Sequence, residues 1–201
     1  MNDLRCQLAG LELSNPVLTA SGTFGYGLEF APYGDLTKLG GLVVKGLSLE
    51  PRSGNPSPRI VETACGLLNA IGLQNIGVQS FVQDKLPQLP WTQTQIIANL
   101  YAQSVEEFVT LAEYLSEVEG IAALEVNVSC PNVAKGGLAF GQDPKQAAAV
   151  CRAVKDVSKA KPVMIKLTPN VTDICTVAAA VQEAGADALS LINTISGMAV
   201  D

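Results

Sequence analysis

From residue 94 onward the chain repeats one unit: a short apolar run, a polar cap and an amphipathic stretch, closed by a glycine in two of its three occurrences. Residues 95–100 (QIIANL), 121–128 (IAALEVNV), 162–167 (PVMIKL) and 186–192 (ADALSLI) are too short for helices and too evenly apolar for half-exposed strands. They read as strands covered on both faces. Helices fit between them. Ser104 with Glu107 three residues on forms a capping box, Phe108, Leu111, Ala112 and Leu115 follow at helical spacing, and Gly120 ends the run. Asp143-Pro144 opens a second helix, with Ala147, Val150, Cys151 and Val154 on one face. Thr172 is the expected cap of a third, which runs to Gly185. Strands alternating with single helices require right-handed crossovers and a parallel sheet.

The first half is less regular. Residues 15–20 (NPVLTA) and 41–45 (GLVVK) read as two more strands, and residues 47–91 as a long stretch rich in Pro, Gly, Asn and Ser. Six strands of one parallel type fit either a complete smaller α/β domain or a (β/α)₈ barrel lacking its last two units, since a closed barrel takes about 250 residues.

Composition removes several chemistries. The chain has no histidine, so Ser-His and Cys-His dyads and histidine metal ligands are excluded. A net charge of -6 with singly scattered basic residues argues against a nucleic-acid surface. The five cysteines, at 6, 65, 130, 151 and 175, include no CxxC, so no disulfide framework, zinc site or iron–sulfur cluster is expected in this chain, and no other metal site. Asp3, Arg5 and Glu12 interrupt any leader-like apolar run, and no segment approaches the ~18 apolar residues of a spanning helix. The reading is a reducing, cytoplasmic protein, in which Asn127-Val128-Ser129 and Asn170-Val171-Thr172 are chance glycosylation sequons.

Polar residues collect where parallel α/β folds place function, at the carboxyl ends of strands. Ser21-Gly22, Lys45-Gly46, Asn99, Asn127-Ser129-Cys130, Lys166 and Asn193-Thr194 each follow an apolar run. One such residue is ordinary; all six ends carrying Lys, Asn or a small polar group is not. Two lysines and several amides without an acidic residue suit an anionic, heteroatom-rich ligand. Cys151 and Cys175 lie within helices, where burial is the default, Cys6 lies near the terminus, and Cys65 is ambiguous. Cys130, between a strand end and Pro131, is the best candidate base or nucleophile. Residues 22–27 lack the G-x-G-x-x-G order, and Lys135-Gly136-Gly137 is no Walker loop.

The run Val126-Asn127-Val128-Ser129-Cys130-Pro131-Asn132, with Gly136-Gly137 and Phe140-Gly141 after it, resembles the active-site loop of class 1 dihydroorotate dehydrogenases. Lys45-Gly46 followed by Pro51-Arg52-Ser53-Gly54-Asn55-Pro56 resembles their flavin-side lysine region. Residues 66–75 (GLLNAIGLQN) resemble the class 1B substrate loop; class 1A members carry serine and methionine where this chain has Ala70 and Ile71. The resemblance spans the whole chain and implies one FMN-binding (β/α)₈ TIM barrel domain over 1–201, with about six of its eight units present.

It also implies oxidation of dihydroorotate to orotate in pyrimidine biosynthesis. In that family pattern Cys130 is the base that removes the C5 proton while hydride leaves C6 for the flavin. Lys45, Asn69, Ala70, Ile71, Gly72, Leu73, Asn127, Asn193 and Thr194 hold substrate. Ser21, Lys45, Gly46, Asn99, Asn127, Lys166 and Ile192 line the flavin. Class 1B enzymes work with an electron-transfer subunit that carries FAD and a [2Fe–2S] cluster and reduces NAD, around a homodimer of the FMN subunit. The family grips the flavin phosphate with loops after strands seven and eight, so the chain is expected to be truncated at its C-terminus and to bind FMN weakly alone. Two other readings stay open: a related dihydropyrimidine-oxidising flavoprotein, and an inactive barrel fragment.

Overall fold

The computed structural model describes residues 3–129 and 139–200. The chain opens with an antiparallel hairpin, β1 (Cys6–Leu8) and β2 (Leu11–Leu13). After β3 (Gly41–Val43) a second hairpin follows, β4 (Ile60–Thr63) and β5 (Gly66–Asn69). A single helical turn, α1 (Val78–Ser80), continues as a π-turn over Phe81–Lys85. Then the regular part begins: β6 (Gln95–Leu100), α2 (Val105–Ser116), β7 (Ile121–Asn127), α3 (Pro144–Val157), β8 (Val163–Lys166), α4 (Ile174–Glu183) and β9 (Ala188–Ser190).

Strands β3, β6, β7, β8 and β9 form one parallel sheet in sequential order. The expected strand over residues 15–20 is replaced by a single parallel bridge, Leu18 to Gly41, on the free side of β3. Two features explain this. Pro16 has no N–H to give to a ladder, and Asn15 Oδ1 takes the Val17 N–H at 3.0 Å. Thr19 still donates its N–H to Gly41 O at 3.2 Å, but the next ladder bond is made by its hydroxyl, which accepts from Val43 N at 3.0 Å. The strand expected over 186–192 shortens to three residues.

Helix capping follows the sequence in two of three places. Ser104 Oγ accepts from Glu107 N at 3.2 Å, and Glu107 Oε2 closes the box on Gln103 N at 2.7 Å, one residue before the cap. Asp143 Oδ1 accepts from Lys145 N at 2.9 Å ahead of Pro144. The cap of α4 is Asp173, not Thr172: its Oδ1 accepts from Cys175 N at 2.9 Å and its Oδ2 from the Thr176 hydroxyl at 2.6 Å. A carboxylate supplies two acceptors and a charge at the helix N-terminus, where a threonine supplies one neutral oxygen. The register this sets puts Val177 and Val181 in the core and leaves Cys175 exposed, against the expectation that it is buried.

The helices cover one face of the sheet. Phe108, Leu111, Ala112 and Leu115 of α2 and Ala147, Val150, Cys151 and Val154 of α3 pack on Ile96, Ala98, Leu100, Leu124, Val126, Val163 and Ile165. Phe140 meets Phe108 edge-on at 5.7 Å and ties the start of α3 to α2. Each fully buried Phe, Leu, Ile or Val among them contributes about 1.5–3 kcal/mol. The inner face has its own smaller core of Val43, Ile97, Ala123 and Met164, closed from the amino end by Leu8 and Leu11 of the first hairpin. A one-residue bulge lies in β7: Ile96 pairs with Ile121, but Ile97 pairs with Ala123. The extra residue, Ala122, lets Ile121 face the helices while Ala123 faces inward. Alternation then carries the inward set up the strands, from apolar at the amino ends to Lys45, Asn99, Glu125, Asn127 and Lys166 at the carboxyl ends. Among the described residues no helix is long and apolar enough to cross a membrane.

Candidate active site

A cavity of about 340 Å³ opens at the carboxyl ends of the parallel strands. Ser21, Lys45, Gly46, Asn69, Ala70, Ile71, Gly72, Leu73, Asn99, Asn127, Lys166, Asn193 and Thr194 all line it, as the sequence leads one to expect, together with Gly22 and Gln74. Ile192 lines a neighbouring cavity of about 330 Å³, which it shares with Glu125 and Lys166. Cys130 lies outside the described residues.

The floor is a buried polar chain. Lys166 Nζ donates to Ser21 Oγ at 3.1 Å and stands 3.8 Å from Glu125 Oε1. The same carboxylate oxygen accepts from Asn99 Nδ2 at 2.6 Å. With its NH₂ given to Glu125, Asn99 offers Oδ1 to the cavity side, where Gly46 approaches so closely that a Cβ there would stand 2.9 Å from it. Glu125 is one of the residues that sequence reasoning missed, since the strand ends were read as free of acid. Its signal was a lone carboxylate in an otherwise apolar strand, which is buried only when paired.

One wall is built at the ends of β7 and β9. Asn127 Oδ1 accepts from Asn193 Nδ2 at 2.8 Å and from Ser129 N at 3.0 Å, which leaves the Asn127 NH₂ to donate to a ligand. Asn170, read in the sequence only as a chance sequon, holds this wall from behind. Its Nδ2 donates to Thr194 O at 3.0 Å and its Oδ1 accepts from Ser196 N at 3.0 Å.

The opposite wall is the loop that follows β5. Asn55 Nδ2 donates to Ala70 O at 2.9 Å, Asn55 N to Ile71 O at 3.0 Å, and Ala70 N to Arg59 O at 2.8 Å. Arg59 also donates to Asn55 O at 2.9 Å and to Gln74 Oε1, closing a clasp around the loop. Lys45 stands between floor and loop. Burial lowers its pKa, and the nearby Arg59 charge lowers it further, against a smaller opposing pull from Glu29. The cavity therefore combines two ammonium groups, amides of both polarities and no carboxylate among its described lining.

The sequence matches the dihydroorotate dehydrogenase family model over residues 3–201. It is 65% identical to the dihydroorotate dehydrogenase B (NAD(+)) catalytic subunit of Maridesulfovibrio salexigens, over 99% of this chain and 65% of that protein. Catalytic subunits of the same name from Solidesulfovibrio magneticus and Geotalea uraniireducens are 64% and 56% identical over the same shares. The chain thus spans 65% of the length of these curated relatives.

Proposed function

The chain belongs to the dihydroorotate dehydrogenase family, and from that premise we propose that it binds FMN and oxidises dihydroorotate to orotate as part of an NAD-linked catalytic subunit. Its parallel sheet, with helices on the outer face, is part of the family's (β/α)₈ barrel. One observation carries the proposal. Residues spread from Ser21 to Thr194 meet in a single cavity that is cationic, rich in amides and free of carboxylates in its described lining.

A flat heteroaromatic ring fits this donor set. Gly46 is bare where a side chain would collide with Asn99, and a Cβ at Gly22 would meet nothing within 4 Å. Asn99 presents an acceptor, Asn127 a donor and Lys166 an N–H donor to such a ring. When bound, FMN supplies a two-electron acceptor. The substrate carboxylate is matched by Lys45 and the loop from Asn69 to Leu73, while Asn127, Asn193 and Thr194 take its ring edge. Cys130, three residues beyond the end of β7, takes the proton from substrate C5. A thiol with an unperturbed pKa of about 8.5 suits a base working near neutral pH better than a serine hydroxyl. Electrons pass on to NAD through a second subunit that carries FAD and a [2Fe–2S] cluster, around a homodimer of the catalytic subunit in the cytoplasm.

The test is anaerobic reduction of the protein loaded with saturating FMN. Dihydroorotate is expected to bleach the flavin absorbance and dihydrouracil, which lacks the carboxylate, to leave it. Cys130→Ala slows reduction by roughly 10²–10⁴ without changing FMN uptake. Equal reduction by dihydrouracil overturns the substrate assignment; near-native rates in Cys130→Ala overturn the base.

A further inference from the structure

We propose that Glu125 is a positioning residue of this cavity: it cancels the charge of Lys166 and fixes the Asn99 amide, so that Lys45 remains the one uncompensated cation of the described lining. The flavin readout below rests on the proposed function; the stability readout does not.

A buried carboxylate in the middle of an apolar strand needs a reason to be there, because an unpaired one is costly. Glu125 is 3% exposed between Leu124 and Val126, both fully buried on the helix side. Its partners are equally dry: Asn99 is 1% exposed and Lys166 7%. One oxygen, Oε1, serves both, at 2.6 Å from the Asn99 amide nitrogen and 3.8 Å from the Lys166 ammonium. Glu125 lines the neighbouring cavity rather than the ligand cavity, so it acts from behind Lys166, which lines both. Lys45 has no ion pair among the described residues.

The arrangement splits the cavity into two electrostatic sectors. The floor presents Lys166 as a donor whose charge is balanced, with Asn99 turned to offer its carbonyl oxygen. The loop side presents Lys45 with its charge unbalanced. A carboxylate ligand is therefore drawn to the loop side and not to the floor, which separates the seats of substrate and ring without any steric partition.

Glu125→Gln removes the charge and keeps an acceptor for Asn99. Lys166→Met removes the other charge, and the double variant removes both. In thermal denaturation of the ligand-free protein, Glu125→Gln is expected to melt roughly 6 °C or more below the wild type, and Lys166→Met to fall similarly, because each leaves a buried charge unpaired. The double variant recovers most of either loss. In FMN-loaded protein, the midpoint potential of bound flavin rises in Glu125→Gln and returns towards the wild-type value in the double variant, a shift that a merely structural glutamate would not produce. Additive losses of stability across the cycle, or an unchanged potential in Glu125→Gln, overturn the proposal. If Glu125→Gln does not fold, the double variant decides: folding restored supports charge cancellation, and folding still lost refutes it. Failure of the wild type to take up FMN counts against the proposed function alone, and the stability cycle then settles the role of Glu125.

Discussion

Replacing Gly46 by alanine tests how firmly the floor of the cavity is clamped. The new Cβ would stand 2.9 Å from Asn99 Oδ1 and 3.8 Å from Tyr101 Cβ, the first of these closer than real Cβ contacts come. Asn99 is almost fully buried, and its planar amide gives the other end to Glu125 Oε1 at 2.6 Å. Swinging Oδ1 away therefore drags Nδ2 off the carboxylate. A hydrogen bond to a charged group contributes about 1.5–3 kcal/mol. Alanine also narrows the unfolded ensemble, which returns about 0.4–1 kcal/mol. The net loss is about 1–2 kcal/mol, or roughly 2–8 °C in melting temperature for a chain of this size. Circular dichroism melts of Gly46→Ala beside Gly22→Ala make the measurement, because Gly22 lines the same cavity with nothing within 4 Å of its would-be Cβ. Gly22→Ala is expected at or slightly above the wild-type temperature. If Gly46→Ala melts there too, the Asn99 amide is not held as described and the clamp is wrong.

Burial pushes the Cys151 thiol from 9.0 up to about 11, so its neutral form is favoured by folding. The stability this gives is intact below pH 9 and is lost as pH rises through 11, a decline that Cys151→Ala should flatten in denaturant titrations over that window. Alkylation at pH 8 followed by mass spectrometry should mark the exposed Cys65 and Cys175 and spare Cys151 until the chain unfolds. Asp173→Ala should lower the melting temperature by about 2–4 °C while Thr172→Ala leaves it unchanged, since only Asp173 caps α4. Orotate affinity should fall with rising pH before the ordinary lysine range is reached, because the lowered pKa of Lys45 releases its proton early. Lys45→Met should bind roughly tenfold to a hundredfold more weakly at neutral pH and lose that pH dependence in isothermal titration.

The parts of the fold set by pattern were legible, and those set by partners were not. Residues 95–100 could be read as a strand because burial on both faces leaves a continuous apolar run, and β6 has those bounds. The β4–β5 hairpin left no such trace: Ile60, Val61 and Leu67 are exposed, so no buried face imposed a period of two on the sequence. The cap of α4 was misplaced by one residue because Thr172 and Asp173 are both good caps, and the second acceptor that decides for Asp173 is used by the Thr176 hydroxyl, a contact no capping pattern announces. Cys175 followed that error. At the site, strand-end logic found residues whose side chains reach the cavity, and it failed for those that act one layer back. Glu125, Asn170 and Arg59 touch other protein groups, and no motif announces a hydrogen bond to a neighbour.

Beyond its extra residue, β7 makes the chemistry of this site a matter of counting as well as of identity. Loss of Ala122 would only remove the bulge and keep Ala123 opposite Ile97, but loss of Leu124 would leave every functional residue in the sequence and yet turn Val126 towards the cavity, sending Glu125 and Asn127 into the layer under the helices. A carboxylate and an amide cannot be solvated there, so the shifted pairing is strongly disfavoured. The same two residues that equip the cavity therefore act as a phase lock for the strand that carries them. Such a strand can absorb changes of side chain on either face, but beyond its bulge it has almost no tolerance for a change of length.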